Sequence, residues 1–274
     1  MDRIIFFSRR CISFASLLVL TISWSVSPGQ EFSLGVKAGP LFSIGSFGDK
    51  EDKDVFSSGV NIGYTGGVLV GFPLGKQYSV TSEAAFSKKG RVMKFNDGEW
   101  KNTANYKFVD LSLILRRSFR FYLRKDVPSE WFVNVGPEVS YWLSGRGTIK
   151  ASGQGYDYDI VFDDMADGSF DKMHIANANR WLFGLIIGTG FEVPMRRNQN
   201  LVVEVRFVSG HTFFGTEQEF NKNNFPVLGF DDTLRMNLKT LSVTLSYVLN
   251  EDIKERRKGK STKDREIKRK VRQF

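Results

Sequence analysis

The chain has 274 residues, 41% hydrophobic and 14% aromatic, with a single cysteine and a formal charge of +9. One cysteine excludes a disulfide scaffold, and because Cys11 lies where a leader is expected, the mature chain offers no thiolate for metal binding or catalysis. Eleven Lys or Arg against five Asp or Glu from Asn250 to Phe274 give a surplus of six, and Arg3, Arg9 and Arg10 against Asp2 a surplus of two, which leaves the body at +1 and argues against nucleic-acid binding.

The basic start, Met1 to Arg10, and the apolar run Cys11 to Trp24, too short to span a bilayer, predict a signal peptide over residues 1–29. Ser27-Pro28-Gly29 supplies the small residues of a cleavage site before Gln30.

Residues 30–249 repeat one pattern of alternating apolar and polar positions. The strands are expected at Phe32 to Phe42, Gly63 to Leu74, Tyr78 to Lys88, Tyr106 to Phe121, Trp131 to Ser144, Trp181 to Val193, Leu201 to Phe213 and Leu238 to Leu249. Short links at Gly75 to Gln77, Tyr122 to Glu130 and Pro194 to Asn200 alternate with long connections at Ser43 to Ile62, Lys89 to Asn105, Ile149 to Arg180 and Phe214 to Asn237. This is the rhythm of an all-β, eight-stranded antiparallel up-and-down transmembrane β-barrel, with long loops outside and short turns in the periplasm. An even strand count places both termini in the periplasm.

Parity separates the faces. In the last strand Leu241, Val243, Leu245, Tyr247 and Leu249 alternate with Ser242, Thr244 and Ser246. A soluble lipocalin-type barrel shares that period with the opposite facing. Aromatics decide for the membrane: Phe72, Tyr78, Phe119, Phe121, Trp131, Phe191 and Tyr247 fall at the turn side, and Phe86, Tyr141, Trp181, Phe183 and Phe213 at the loop side, as two interfacial girdles.

The same parity points Lys37, Glu83, Asp110, Arg116, Glu138, Glu192, Glu204 and Arg206 inward. Mixed signs in a confined lumen are expected to pair into a structural plug, with Glu83 and Arg116 meeting across one hairpin. The competing reading is a gated or substrate-binding lumen.

Motifs for chemistry are weak. Ser209 and His211 share a strand face near the rim, but no triad can be assembled, and His174 stands alone in a loop. Asp163 to Gly168 resembles a calcium loop loosely, with Met165 at its middle ligand and His174 where the closing Glu belongs. Gly215, Phe220, Phe225, Leu228 and Phe230 make the fourth loop aromatic, suited to rim packing. No catalytic residue, cofactor or metal is assigned.

The tail, Glu251 to Phe274, has the composition of a disordered segment or marginal helix, with Ile267, Val271 and Phe274 at helical spacing. It is either solvated or docks on anionic lipid, cell-wall carboxylates or an acidic periplasmic partner.

Gly35-Val36-Lys37-Ala38-Gly39, Gly71-Phe72-Pro73-Leu74, Ser87-Lys88-Lys89-Gly90 and Gly136-Pro137-Glu138-Val139-Ser140-Tyr141 occur in an order that resembles the PorT-like outer-membrane β-barrel proteins over Phe32 to Leu249. Val109-Asp110-Leu111-Ser112-Leu113 departs from the acidic-Ile-Pro pattern of many members. The resemblance implies a non-enzymatic outer-membrane barrel acting as a structural or accessory component of an envelope or type IX-like protein-secretion assembly. Its partners would be outer-membrane lipid and a periplasmic or envelope protein held by the basic tail. A small channel or ligand-binding barrel, and a rim lipid hydrolase using His211, are the alternatives.

Overall fold

Ten strands follow one another in this computed structural model: β1 (Glu31–Phe47), β2 (Phe56–Pro73), β3 (Tyr78–Phe95), β4 (Trp100–Arg124), β5 (Val127–Ala151), β6 (Gln154–Val161), β7 (Lys172–His174), β8 (Trp181–Arg196), β9 (Gln199–Gly210) and β10 (Met236–Asp252). The described residues are 31–48, 56–95, 100–124, 127–151, 154–162, 171–175, 178–196, 198–215 and 235–252. The leader, the tail beyond Asp252, the calcium-like stretch Asp163 to Gly168 and the loop aromatics Phe220, Phe225, Leu228 and Phe230 lie outside them.

Eight of the strands close into an antiparallel ring, β1-β2-β3-β4-β5-β8-β9-β10 and back to β1, while β6 and β7 extend the sheet from the side of β5. Ser33–Asn250 forms one compact unit, and of the other, Met1–Phe32 with Glu251–Phe274, the described residues are the outer ends of β1 and β10. Within the barrel unit Ser33 lies opposite Gly71, and the amide of Asn250 donates to the carbonyl of Asn198, so both ends of the ring reach the tight-turn side. The first of those turns is closed by Leu74 N donating to Tyr78 O, with Gly75 at φ 113°, a left-handed conformation that glycine adopts without a Cβ clash.

The strands are longer than the alternation alone indicates. Ser43 to Phe47, Phe56 to Ile62, Lys89 to Phe95 and Trp100 to Asn105 are paired strand rather than loop, and the third long connection contains β6 and β7. The reason lies in the facing. Around the ring the outward face is apolar, as in the rung Val135–Ile187–Phe207–Leu241, where every side chain is exposed, Ile187 by 57%. The inward face at that height is polar on the turn side, with Asn134, Arg206 and Ser242, and carries a small apolar cluster of Ile114, Ile186 and Val208 on the other.

Beyond the loop-side aromatics the sense reverses on β3 to β6, whereas on β1 and β2 Ile44, Val60 and Ile62 stay outward. Met93, Ala104, Tyr106, Phe108, Trp142, Ile149, Tyr158 and Ile160 are buried inside, while Lys94, Lys101, Lys107, Arg146, Asp157 and Asp159 are exposed outside. That part of the barrel is patterned like a soluble β-protein, with apolar residues in and polar ones out. A lipocalin-type barrel would keep that sense throughout its height; here an apolar outer band occupies the other part.

Candidate functional site

The lumen is the candidate site because parity concentrates ionisable groups there. It is occupied in layers. Nearest the tight turns, Arg116 of β4 binds Glu192 of β8, which also accepts from Asn200 Nδ2, and the Arg116 guanidinium lies 3.6 Å from the ring centroid of Phe132.

The middle layer joins four strands. Arg206 of β9 donates from Nη1 to Glu83 Oε2 at 2.7 Å and from Nη2 to Glu83 Oε1 at 2.9 Å, a bidentate pair. The same guanidinium donates to Glu204 from Nε and Nη2, both at 2.9 Å. Lys37 of β1 binds the other side of Glu83, and Asn134 Nδ2 donates to Glu204 Oε1 at 2.7 Å. Two cations balance two anions.

The upper layer centres on Lys89. Its Nζ donates to Asp110 Oδ1 at 3.0 Å, Glu138 Oε1 at 2.9 Å and Ser140 Oγ at 3.2 Å. Ser87 and Ser140 hydroxyls donate to the two Asp110 oxygens at 2.6 and 2.5 Å. A cavity of about 30 Å³ borders this layer between Lys89, Glu138, Ser140 and the β8–β9 pair Gly184 and Gly210, room for a water or two.

Above it sits an aromatic stopper. Trp142, fully buried, meets Tyr106, Phe162 and Phe214 edge-on at centroid separations of 5.1, 4.8 and 4.9 Å. Phe214 comes from the segment after β9 and is held by its backbone, accepting from Asn179 N and donating to Met236 O. Lys89 Nζ lies 5.4 Å from the Phe108 ring centroid, joining stopper to network.

The expected pair of Glu83 with Arg116 is not formed. Arg116 lies opposite Ser79, whereas Glu83 lies opposite Ser112, because β4 continues to Arg124 beyond the start of β3 at Tyr78. Counting from strand ends therefore put the two at one level when they belong to different layers. Lys89, expected in a loop, is buried in β3, on the same face as Glu83 and Ser87. The eight expected lumen residues comprise three cations and five anions, and the buried Lys89 and Arg91 bring that set to neutrality. Continuing the odd-residue face of β3 past Lys88 is the signal that finds both.

Outside the lumen, His211 is exposed just past β9; among the described residues no side-chain hydrogen bond joins it to Ser209 or to a carboxylate. No group of three or more His, Cys, Asp or Glu able to hold a metal occurs among the described residues.

A family model described as outer membrane protein beta-barrel domain matches residues 27–212. No curated protein matches the chain by sequence. Among solved structures the chain is similar to Neisserial surface protein A, at 10% identity and a TM-score of 0.38, covering 80% of this chain and 96% of that one. It is also similar to OprG from Pseudomonas aeruginosa, at 10% identity and a TM-score of 0.43, covering 81% of this chain and 97% of that one. Ail, the attachment invasion locus protein of Yersinia pestis, is similar at 11% identity and a TM-score of 0.36, covering 81% of this chain and 99% of that one. These likenesses are too distant to bear on function, and the closed ring of paired strands establishes the fold by itself.

Proposed function

This chain belongs to the outer membrane protein beta-barrel domain family, and on that premise we propose that it is a non-enzymatic mount: a structural or accessory component of an envelope or type IX-like secretion assembly. The long-loop end faces outward, both termini face the periplasm, and the basic tail engages a partner there. One observation carries this reading. Among the described residues the lumen is filled from turn side to loop side by paired charges and a buried aromatic stopper, which argues against a transport path or a catalytic pocket through that part of it. What remains for function is the two ends.

A non-enzymatic role is further supported by the solitary exposed His211 and by the commitment of lumen carboxylates to Lys and Arg partners. The PorT-like reading and its secretion role rest on the short motifs from Gly35-Val36-Lys37-Ala38-Gly39 to Gly136-Pro137-Glu138.

The test is cross-linking in intact envelopes followed by purification, comparing the full chain with one ending at Asp252, the last residue of β10. Loss of periplasmic partners from a truncated chain that still inserts and folds supports the proposal. An unchanged partner set sinks the role of the tail.

A further inference from the structure

The outward face of β3, β4 and β5 carries lysines in rows set by strand register. At the loop-side aromatic girdle, Phe86, Val109, Tyr141 and Trp181 stand abreast. One outward step above, Lys88 lies directly opposite Lys107. Three steps higher, Lys94 lies opposite Lys101, and Lys101 opposite Lys150, three lysines abreast on adjacent strands. Lys94, Lys101, Lys107 and Lys150 are all exposed, and Lys88 is half-buried.

Like charges directly opposite one another destabilise a sheet. Among the described residues none of these five lysines has an ion-pair partner. The neighbouring carboxylate Asp159 is already held by Arg146 at 2.7 Å, and Asp157, which accepts from the neutral Thr148 hydroxyl at 2.6 Å, keeps its charge but forms no ion pair with any of the five. Among the described residues the face therefore presents a concentrated net positive charge, five lysines and Arg146 against Asp157 and Asp159.

Its position selects the counter-ion. The rows lie on the bilayer-facing side, directly in line above an apolar band, so a ligand there stands alongside the barrel with its apolar part in the membrane. From Phe86 to Lys94 is eight residues of strand, about 26 Å, or about 20 Å of height at the tilt usual for such barrels. The lower pair is at headgroup level and the upper three at the height of a large saccharide headgroup.

We propose that the Lys88–Lys107 and Lys94–Lys101–Lys150 rows dock the anionic headgroup of a phosphorylated glycolipid of the outer leaflet, two levels of lysine meeting two levels of phosphate. This rests on the outward orientation of the long-loop end given under Proposed function.

The probes are a phosphorylated lipopolysaccharide, its dephosphorylated counterpart, inorganic phosphate and polyphosphate, each titrated against the purified full chain. The expected result is retention of the phosphorylated glycolipid, weakened roughly tenfold to a hundredfold in K94Q/K101Q/K150Q and reduced also in K88Q/K107Q, from about 1 kcal/mol per lysine at an anionic surface. Because both variants remove repulsion, they are expected to fold at least as well as the parent. Binding unchanged by either variant or by dephosphorylation overturns the proposal, as does displacement by inorganic phosphate at equal concentration or tighter binding of polyphosphate. Orientation is read separately, by labelling S57C in intact cells with an impermeant maleimide against the unsubstituted chain. Labelling together with lysine-independent binding defeats the docking proposal alone, whereas no labelling defeats the orientation beneath it.

Discussion

Arg206 on β9 and Glu83 on β3 face each other across the barrel and form two hydrogen bonds of 2.7 and 2.9 Å, linking strands that are not neighbours in the ring. The pair ties opposite walls together through the lumen. Arg206 also neutralises Glu204, whereas Glu83 keeps Lys37 as a second cation. Removing Arg206 thus leaves one carboxylate too many, and R206Q is expected to lose about 3–5 kcal/mol of stability, as when one partner of a buried pair is deleted. R206Q/E204Q restores neutrality and is expected to recover most of that loss, measured by urea unfolding in lipid vesicles. Equal stability of the two variants would show that charge balance is not what the layer supplies.

Lys89 is the only cation hydrogen-bonded to Asp110 and Glu138 among the described residues. K89M leaves two carboxylates facing each other and is expected to be as damaging as R206Q. D110N removes one negative charge while keeping an acceptor for Lys89 and Ser140, and is expected to cost under about 1 kcal/mol. The same unfolding assay ranks them, and the reverse order contradicts a lysine-centred layer.

Ile187 stands midway between the girdle residues Trp181 and Phe191 on the outward face. At the midplane of a bilayer an outward arginine costs about 2–4 kcal/mol. I187R is therefore expected to lower vesicle stability by that amount and I187L to leave it unchanged. On a face bathed in water, arginine would be tolerated, and such tolerance rejects the lipid-facing band.

The arm formed by β5 and β6 above the girdle is held outside by Arg146 and Asp159. The hydrogen bond from Arg146 holds the Asp159 carboxyl below its usual range, against an opposing effect of desolvation and with smaller help from the charges of Arg146 and Lys107. A depressed carboxylate stabilises above its unfolded pKa of about 3.9 and loses that contribution as pH falls through the lower folded value. Hydrogen exchange of β6 amides is expected to show protection maintained down to about pH 4 and declining below it, less steeply at high salt because the pair is exposed. Protection that rises on acidification contradicts the pairing.

Much of this was legible in the alternation. Leu241 to Leu249 and Trp181 to Phe191 display their outward faces residue by residue, and the inward ionisable residues follow from the same parity. The pairing within the lumen was not legible, because stagger between strands decides which layers coincide, and β4 runs past β3 from Ser118 to Arg124. A register shift also hides in β5: Lys107 pairs with Ser144 and Phe108 with Trp142, so Leu143 is an extra residue. Beyond it the outward parity of β5 changes from odd to even, exposing Arg146 and Lys150 and burying Ile149. The aromatic stopper was missed for a related reason, since Tyr106, Phe108 and Trp142 occupy the parity that lower down carries charge.

The closed lumen is tested most directly by single-channel recording of the purified chain in a planar bilayer. Layers of paired charge capped by Tyr106, Phe108, Trp142 and Phe214 are expected to give insertion without discrete conductance steps. Stable, large openings in the unmodified chain would contradict a plugged barrel and move its function from the two ends back into the pore.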